Sequence, residues 1–124
     1  MEQAVVQELI REVAFTYERV HVLTSLFASR AWTTAEELAA QTGTPALLVH
    51  EALVELLDTG FVAQDASDRA RFTYAEGDPE RDSQLRALQA LSEEDPVELA
   101  RLLNAIALER ARDALYARLE IPRR

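Results

Sequence analysis

The sequence predicts a mainly α-helical single domain that carries one β-hairpin. Apolar residues recur at three- and four-residue steps along most of the chain, which is helical spacing. Polar residues next to Gly or Pro mark several helix ends. Two short stretches, 61–64 and 71–74, are rich in strand-forming residues. A length of 124 residues with 48% hydrophobic composition fits one globular domain.

The N-terminal region is predicted to be helical because no Gly or Pro interrupts residues 1–42. The pattern allows either one long helix to about Ser29 or two helices bent near Val20–Leu23. Four apolar residues in it repeat at intervals of seven, which is typical of a core face or of a seam with a second copy: Val6, Val13, Val20 and Phe27. Phe27 and Trp32 are both expected in the core.

The next two helices are predicted from their end signals. Thr33 with Glu36, or Thr34 with Glu37, has the spacing of a capping box. Gly43 is placed to end that helix. Thr44-Pro45 predicts an N-cap followed by Pro at the first position of a helix that runs from 46 to 57.

The remaining elements are also predicted from turn and helix-end signals. The polar link 65–70 predicts a hairpin between the two strands. Asp78-Pro79 predicts a helix over 79–92, and Asp95-Pro96 predicts one over 96–119. This last helix is expected to carry one apolar stripe, which a domain of this size gains from burying against a second copy: Leu99, Leu102, Leu103, Ile106, Ala107, Ala111, Leu115 and Leu119. The terminal helices are expected to form a homodimer.

Residues 22–74 resemble a winged helix-turn-helix, with three helices and a two-stranded wing. Trp32–Ala39 is similar to the first helix of the turn motif, and Gly43-Thr44-Pro45 lies at its turn. Val49–Leu57 looks like the recognition helix, and Asp58–Val62 resembles the entry into the wing.

The additional N- and C-terminal helices give a layout similar to MarR-like regulators and to small uncharacterised bacterial winged-helix proteins. The expected organisation is one domain over 1–124, with a winged-helix core at about 22–74 and a C-terminal helical extension over 79–119. The resemblance implies a role in transcription regulation, but it brings no established activity.

The charge is divided unevenly along the chain. The formal net charge is −9, and all 13 basic residues are Arg. Residues 31–68 hold seven acidic residues and no Arg, whereas residues 101–124 hold six Arg and three acids. An acidic middle region disfavours the usual docking of a helix-turn-helix on DNA, because its carboxylates would face phosphates.

The helix over 46–57 carries the candidate site. Its buried stripe is predicted to be Val49, Ala52, Leu53 and Leu56. The opposite stripe is predicted to be exposed and to bind another protein: Leu47, His50, Glu51, Val54, Glu55 and Asp58. Exposed aliphatics beside acids suit a protein partner that carries Arg or Lys. Packing of Leu47 under the N-terminal helix, and of Val54 under a terminal helix or a second copy, is the alternative.

DNA is the second partner considered. Arg69 and Arg71 at the hairpin tip, together with Arg from the last helices across a dimer, would contact phosphates. The ordinary alternative is that Arg69 and Arg71 are solvated hairpin residues. Arg110, Arg112, Arg118, Arg123 and Arg124 complement the dipole at a helix C-terminus, which is the ordinary interpretation of the last three.

The sequence offers no pattern typical of an enzyme. The absence of Cys excludes disulfides and thiolate chemistry, and His21 and His50 lack the spacing of a zinc site. No Gly-rich phosphate loop occurs, so no cofactor and no metal are expected. A small-molecule pocket between the terminal helices and the winged domain leaves no sign. No signal peptide or spanning segment is visible, so a cytoplasmic protein without membrane contact is expected.

Overall fold

The computed structural model describes the chain from residue 2 to residue 119, and within that range the protein is mainly helical with one small antiparallel sheet. The strand order in the sheet is β1-β3-β2, so the two hairpin strands are joined by a third strand from earlier in the chain. The elements are α1 (Glu2–Glu12), α2 (Tyr17–Ser29), β1 (Thr33–Thr34), α3 (Ala35–Thr42), α4 (Ala46–Leu57), β2 (Val62–Gln64), β3 (Arg71–Tyr74), α5 (Pro79–Glu94) and α6 (Pro96–Leu119).

The N-terminal region forms two helices, but the break lies at residues 13–16 and not near Val20–Leu23. Thr16 begins α2, because its hydroxyl oxygen accepts a hydrogen bond from the Arg19 amide at 3.2 Å. The residues spaced by seven do not form an exposed seam: Val6, Val20 and Phe27 are buried in the chain's own core. Helical periodicity alone did not reveal this cap, since Thr is tolerated inside helices.

The start of α3 follows one of the two predicted capping boxes. The Thr34 hydroxyl accepts from the Glu37 amide at 3.2 Å, and the Glu37 carboxylate accepts from the Thr34 amide at 3.0 Å. The backbone there also forms β1, in which Thr33 pairs with Phe72. The expected two-stranded wing is therefore a three-stranded sheet. A strand of two residues is too short to show the alternation by which strands are recognised in a sequence.

The turn between α3 and α4 also differs from the prediction in one detail. Gly43 ends α3 with φ at +76°, as expected for a C-terminal glycine. Pro45, however, is the N-cap of α4 and not its first helical residue, and no side chain caps this end. The proposed Thr44 cap is wrong because Pro45 adopts an extended backbone, with ψ at 139°, which delays the helix by one residue.

The hairpin and the last two helices match their predicted positions closely. In the register Val62 lies opposite Tyr74. Asp65 and Asp68 shape the loop, because their carboxylates accept from the amides of Ser67 and Ala70 at 2.9 and 3.1 Å. Asp78 caps α5 as predicted, although α5 extends to Glu94. The Asp95 carboxylate accepts from the Glu98 amide at the start of α6.

The core lies between helices α1 to α5, the sheet and the first half of α6. Of the predicted apolar stripe of α6, Leu99, Leu102, Leu103 and Ile106 are buried in the chain's own core. The rest of α6 extends beyond the core and leaves Ala107, Ala111, Leu115 and Leu119 exposed. Trp32, expected in the core, is 45% exposed. Arg123 and Arg124 lie outside the described residues.

Candidate protein-binding surface

One side of α4 faces away from the core and carries all six predicted partner-binding residues. The helix buries Val49, Ala52, Leu53 and Leu56, as predicted, and these residues fix which side remains outside. The exposed residues are called the α4 surface from here on: Leu47, His50, Glu51, Val54, Glu55 and Asp58.

Aliphatic side chains give this surface an apolar component. Leu47 is 68% exposed and Val54 is 47% exposed, so neither packs under another helix of the same chain. Leu48 is a further exposed aliphatic, at 39%, that the sequence analysis did not select. The sequence could have indicated that Leu48 is exposed, because it lies beside Val49 at the edge of the buried stripe. Exposed aliphatics on one face are typical of a contact surface.

The three carboxylates of the surface differ in their surroundings. Glu55 Oε1 lies 3.0 Å from Arg19 Nη2, whereas Glu51 and Asp58 form no ion pair with any other residue in the described part of the chain. Two of the three charges are thus available to an outside partner. The Arg19–Glu55 pair joins residues 36 positions apart, so no local pattern in the sequence could have indicated it.

Arg19 anchors the surface to the rest of the fold. Its guanidinium is nearly buried, donates to the Val13 carbonyl at 3.0 Å and lies 4.1 Å from the centre of the Phe15 ring. Arg110 of α6 lies 3.7 Å from the centre of the same ring. These contacts tie the α1–α2 turn to α4 and α6.

A cleft of about 480 Å³ opens beside these residues. Arg110, Phe15 and Arg19 line one part of it, while Glu51 and Leu48 line the α4 part. The cleft therefore places a residue of α6 close to the edge of the α4 surface. The cleft forms a recess at one edge of the α4 surface, next to the exposed apolar residues.

The two hairpin arginines lie on a separate surface. Both are exposed, and Arg71 Nε lies 3.3 Å from an Asp68 carboxylate oxygen. Arg69 forms no ion pair among the residues described. The Gln64 side-chain Nε2 donates to the Arg69 backbone carbonyl at 2.8 Å, which fixes the backbone at the tip. The structure brings neither arginine into the α4 surface.

One buried tyrosine joins the sheet to α5. The Tyr74 hydroxyl donates to an Asp82 carboxylate oxygen at 2.5 Å. Burial, followed by the hydrogen bond and the negative charge of Asp82, raises the pKa of Tyr74 well above its usual value. The Arg30 guanidinium lies over this ring and over Phe27, and it pairs with Glu76 at 2.6 Å. These contacts hold the sheet against α5, so we interpret the cluster as structural.

The described residues contain no group of three or more His, Cys, Asp or Glu able to hold a metal ion. Across residues 2–119, no helix has both the length and the hydropathy required to span a bilayer. Comparison with protein-family models, with curated proteins and with solved structures finds no match to this chain.

Proposed function

We propose that this chain is a non-enzymatic winged helix-turn-helix regulatory module that works by binding another protein through the α4 surface. The observation that carries the proposal is the composition of that surface. It combines three carboxylates with two exposed aliphatic side chains, and it presents no Arg or Lys.

The winged-helix assignment is supported by the topology of residues 17–74. A three-residue turn, 43–45, joins α3 to α4, which is typical of a helix-turn-helix. The hairpin follows α4, and β1 adds to it in the order β1-β3-β2. This order of elements agrees with the resemblance drawn from the sequence.

The chemistry of the α4 surface favours a protein over DNA. A helix that reads bases presents Arg, Lys, Asn, Gln or Ser to the major groove, and its neighbours present cations to phosphates. Glu51 and Asp58 would instead face phosphates without a compensating cation. Against a protein, the same carboxylates pair with Arg or Lys, and Leu47 and Val54 fill an apolar patch.

A photo-crosslinking amino acid at Val54 tests the proposal in the cells that make the protein. We expect adducts with peptides of a different protein, identified by mass spectrometry, and their loss when Glu51→Arg is added. The matched control carries the crosslinker at exposed Ser83 on α5 and forms none of these adducts. An absence of such adducts from Val54, or their formation equally from Ser83, would show that the α4 surface is not the binding face.

A second candidate function is DNA binding by a dimeric transcription regulator. The observation in its favour is the exposure of Arg69 and Arg71 at the hairpin tip. Titration of a labelled mixed-sequence duplex at low salt separates the two functions. We expect no binding at tens of micromolar protein, whereas salt-sensitive binding that is lost in Arg69→Ala would favour the regulator.

A further inference from the structure

The second half of α6 carries an exposed apolar stripe that the chain itself does not cover. Leu108, Leu115 and Leu119 are 73%, 48% and 54% exposed. Separations of seven and four residues place them on the same side of the helix, because an α-helix repeats every 3.6 residues. The buried residues of α6 end at Ile106, so this side has no partner within the described part of the chain.

Two cations flank this apolar stripe. Arg112 and Arg118 are each three residues from Leu115, which places one on either side of it. Both are exposed, and neither forms an ion pair within the part of the chain that the structure describes. Glu109, three residues before Arg112, pairs instead with Arg11 of α1, whose Nε lies 3.7 Å from its carboxylate. The set is called the α6 stripe: Leu108, Arg112, Leu115, Arg118 and Leu119.

We propose that the α6 stripe of one protomer packs against the α4 surface of a second copy, and that the two copies exchange this contact reciprocally. The inference rests on the proposed function of the α4 surface as a protein-binding face. It names one occupant of that face, a second copy of this chain. A different protein partner then binds by displacing α6.

The spacing of the two surfaces supports this occupant. Along α4 and its C-terminal end, aliphatic and acidic residues alternate at separations of four, three and four residues: Leu47, Glu51, Val54 and Asp58. Along α6, aliphatic residues and arginines alternate at separations of four, three and three residues: Leu108, Arg112, Leu115 and Arg118. At a rise of about 1.5 Å per residue, both patterns extend over roughly 15 Å. When the two helices run parallel, apolar positions meet apolar positions and opposite charges meet.

A reciprocal contact uses both surfaces of each protomer. Arg110 of α6 and Glu51 of α4 line the same cleft, so α6 passes close to α4, although Arg110 lies on the other side of α6 from the stripe. A two-fold axis that brings each α4 surface to the other protomer's α6 stripe makes a closed dimer. Packing two α6 stripes together would instead place Arg112 and Arg118 near their own copies, and like charges oppose such a contact.

Paired charge reversals test the contact. The acid variant carries Glu51→Arg and Asp58→Arg, and the base variant carries Arg112→Glu and Arg118→Glu. Mass is measured by sedimentation equilibrium at tens of micromolar. We expect the wild type at twice 13.9 kDa. Each variant alone should weaken dimerisation by about 10-fold or more, and an equimolar mixture should recover dimers in which both variants are present.

A matched control carries Glu12→Arg and Glu93→Arg, which change the total charge as the acid variant does but lie at exposed positions on α1 and α5. It should remain dimeric. Circular dichroism confirms that every variant is folded. A monomeric wild type, or an acid variant that dimerises on its own, would overturn the inference. Either result leaves the proposed function to be decided by the Val54 crosslinks, which distinguish peptides of a different protein from peptides of this chain.

Discussion

Replacing Arg19 by Met should destabilise the protein far more than removing the charge of its partner Glu55. Arg19 is 8% exposed, and its guanidinium reaches the Val13 carbonyl, the Phe15 ring and Glu55. Met keeps an unbranched apolar stem in the same space, so the packing of the side-chain carbons is largely retained. The polar and cation–π contacts are the interactions that are lost.

The cost can be built from these three contacts. The half-buried Val13 carbonyl loses its side-chain donor, which costs about 1–2 kcal/mol. The loss of the cation from the Phe15 ring costs about 0.5–1 kcal/mol. Because the Glu55 side chain is 61% exposed, its ion pair adds no more than about 1 kcal/mol. We expect Arg19→Met to lower the free energy of unfolding by about 2–3 kcal/mol, and Glu55→Gln by less than about 1 kcal/mol.

Urea unfolding followed by circular dichroism measures both values. Every variant is compared at one fixed protein concentration, because the proposed dimer would contribute to apparent stability. The double variant completes a thermodynamic cycle, whose coupling energy should be below about 1 kcal/mol. If Glu55→Gln is as damaging as Arg19→Met, the ion pair and not the Val13 contact holds the turn to α4, and this reasoning is refuted.

Three further outcomes are expected from the structure. Because the pKa of Tyr74 is raised in the folded protein, this side chain contributes stability that is fully present below pH 10 and is lost as the pH rises further. Tyr74→Phe should therefore weaken the dependence of the urea midpoint on pH above pH 10. Gly60→Ala should cost about 1–2 kcal/mol because φ is +83°, and its new Cβ would lie 2.6 Å from an Arg81 guanidinium nitrogen; an unchanged thermal midpoint would contradict this. Thr34→Ala should cost about 1 kcal/mol through loss of the cap, with Thr34→Ser close to wild type.

The ends of α3 and the two sides of α4 could be predicted from the sequence because both depend on residues close together in the chain. Thr34 and Glu37 satisfy each other's amides across three residues, and Gly43 adopts a positive φ by itself. The burial of Val49 and Ala52 follows from helical spacing, whatever packs against them. Such features need no knowledge of the tertiary structure.

Apart from the local Thr16 cap of α2, the features that the sequence did not indicate depend on distant parts of the chain. Whether Glu55 is available to a partner depends on Arg19, and the exposure of Leu115 depends on where the rest of the core ends. β1 exists only because Thr33 meets Phe72 of the hairpin. In the sequence, the apolar pattern of α6 is equally compatible with burial in this chain and with a contact outside it. Which of these residues are buried depends on where α1 and α5 contact α6.

Salt should affect DNA binding and dimer formation differently, because the electrostatic interactions in the two complexes differ in range. DNA held by Arg69 and Arg71 of two protomers would involve four phosphate contacts, and affinity would then fall about 100-fold between 50 and 200 mM salt. In a dimer, a net charge of −9 on each copy opposes approach at long range, while Glu51 and Arg112 attract at contact. Added salt screens the long-range repulsion first, because the Debye length is about 8 Å at physiological ionic strength. The opposing effects largely cancel, so dimer affinity should change far less over the same range. A dimer that dissociates as steeply as a DNA complex would mean that charge pairing, and not the aliphatic stripe, holds the copies together.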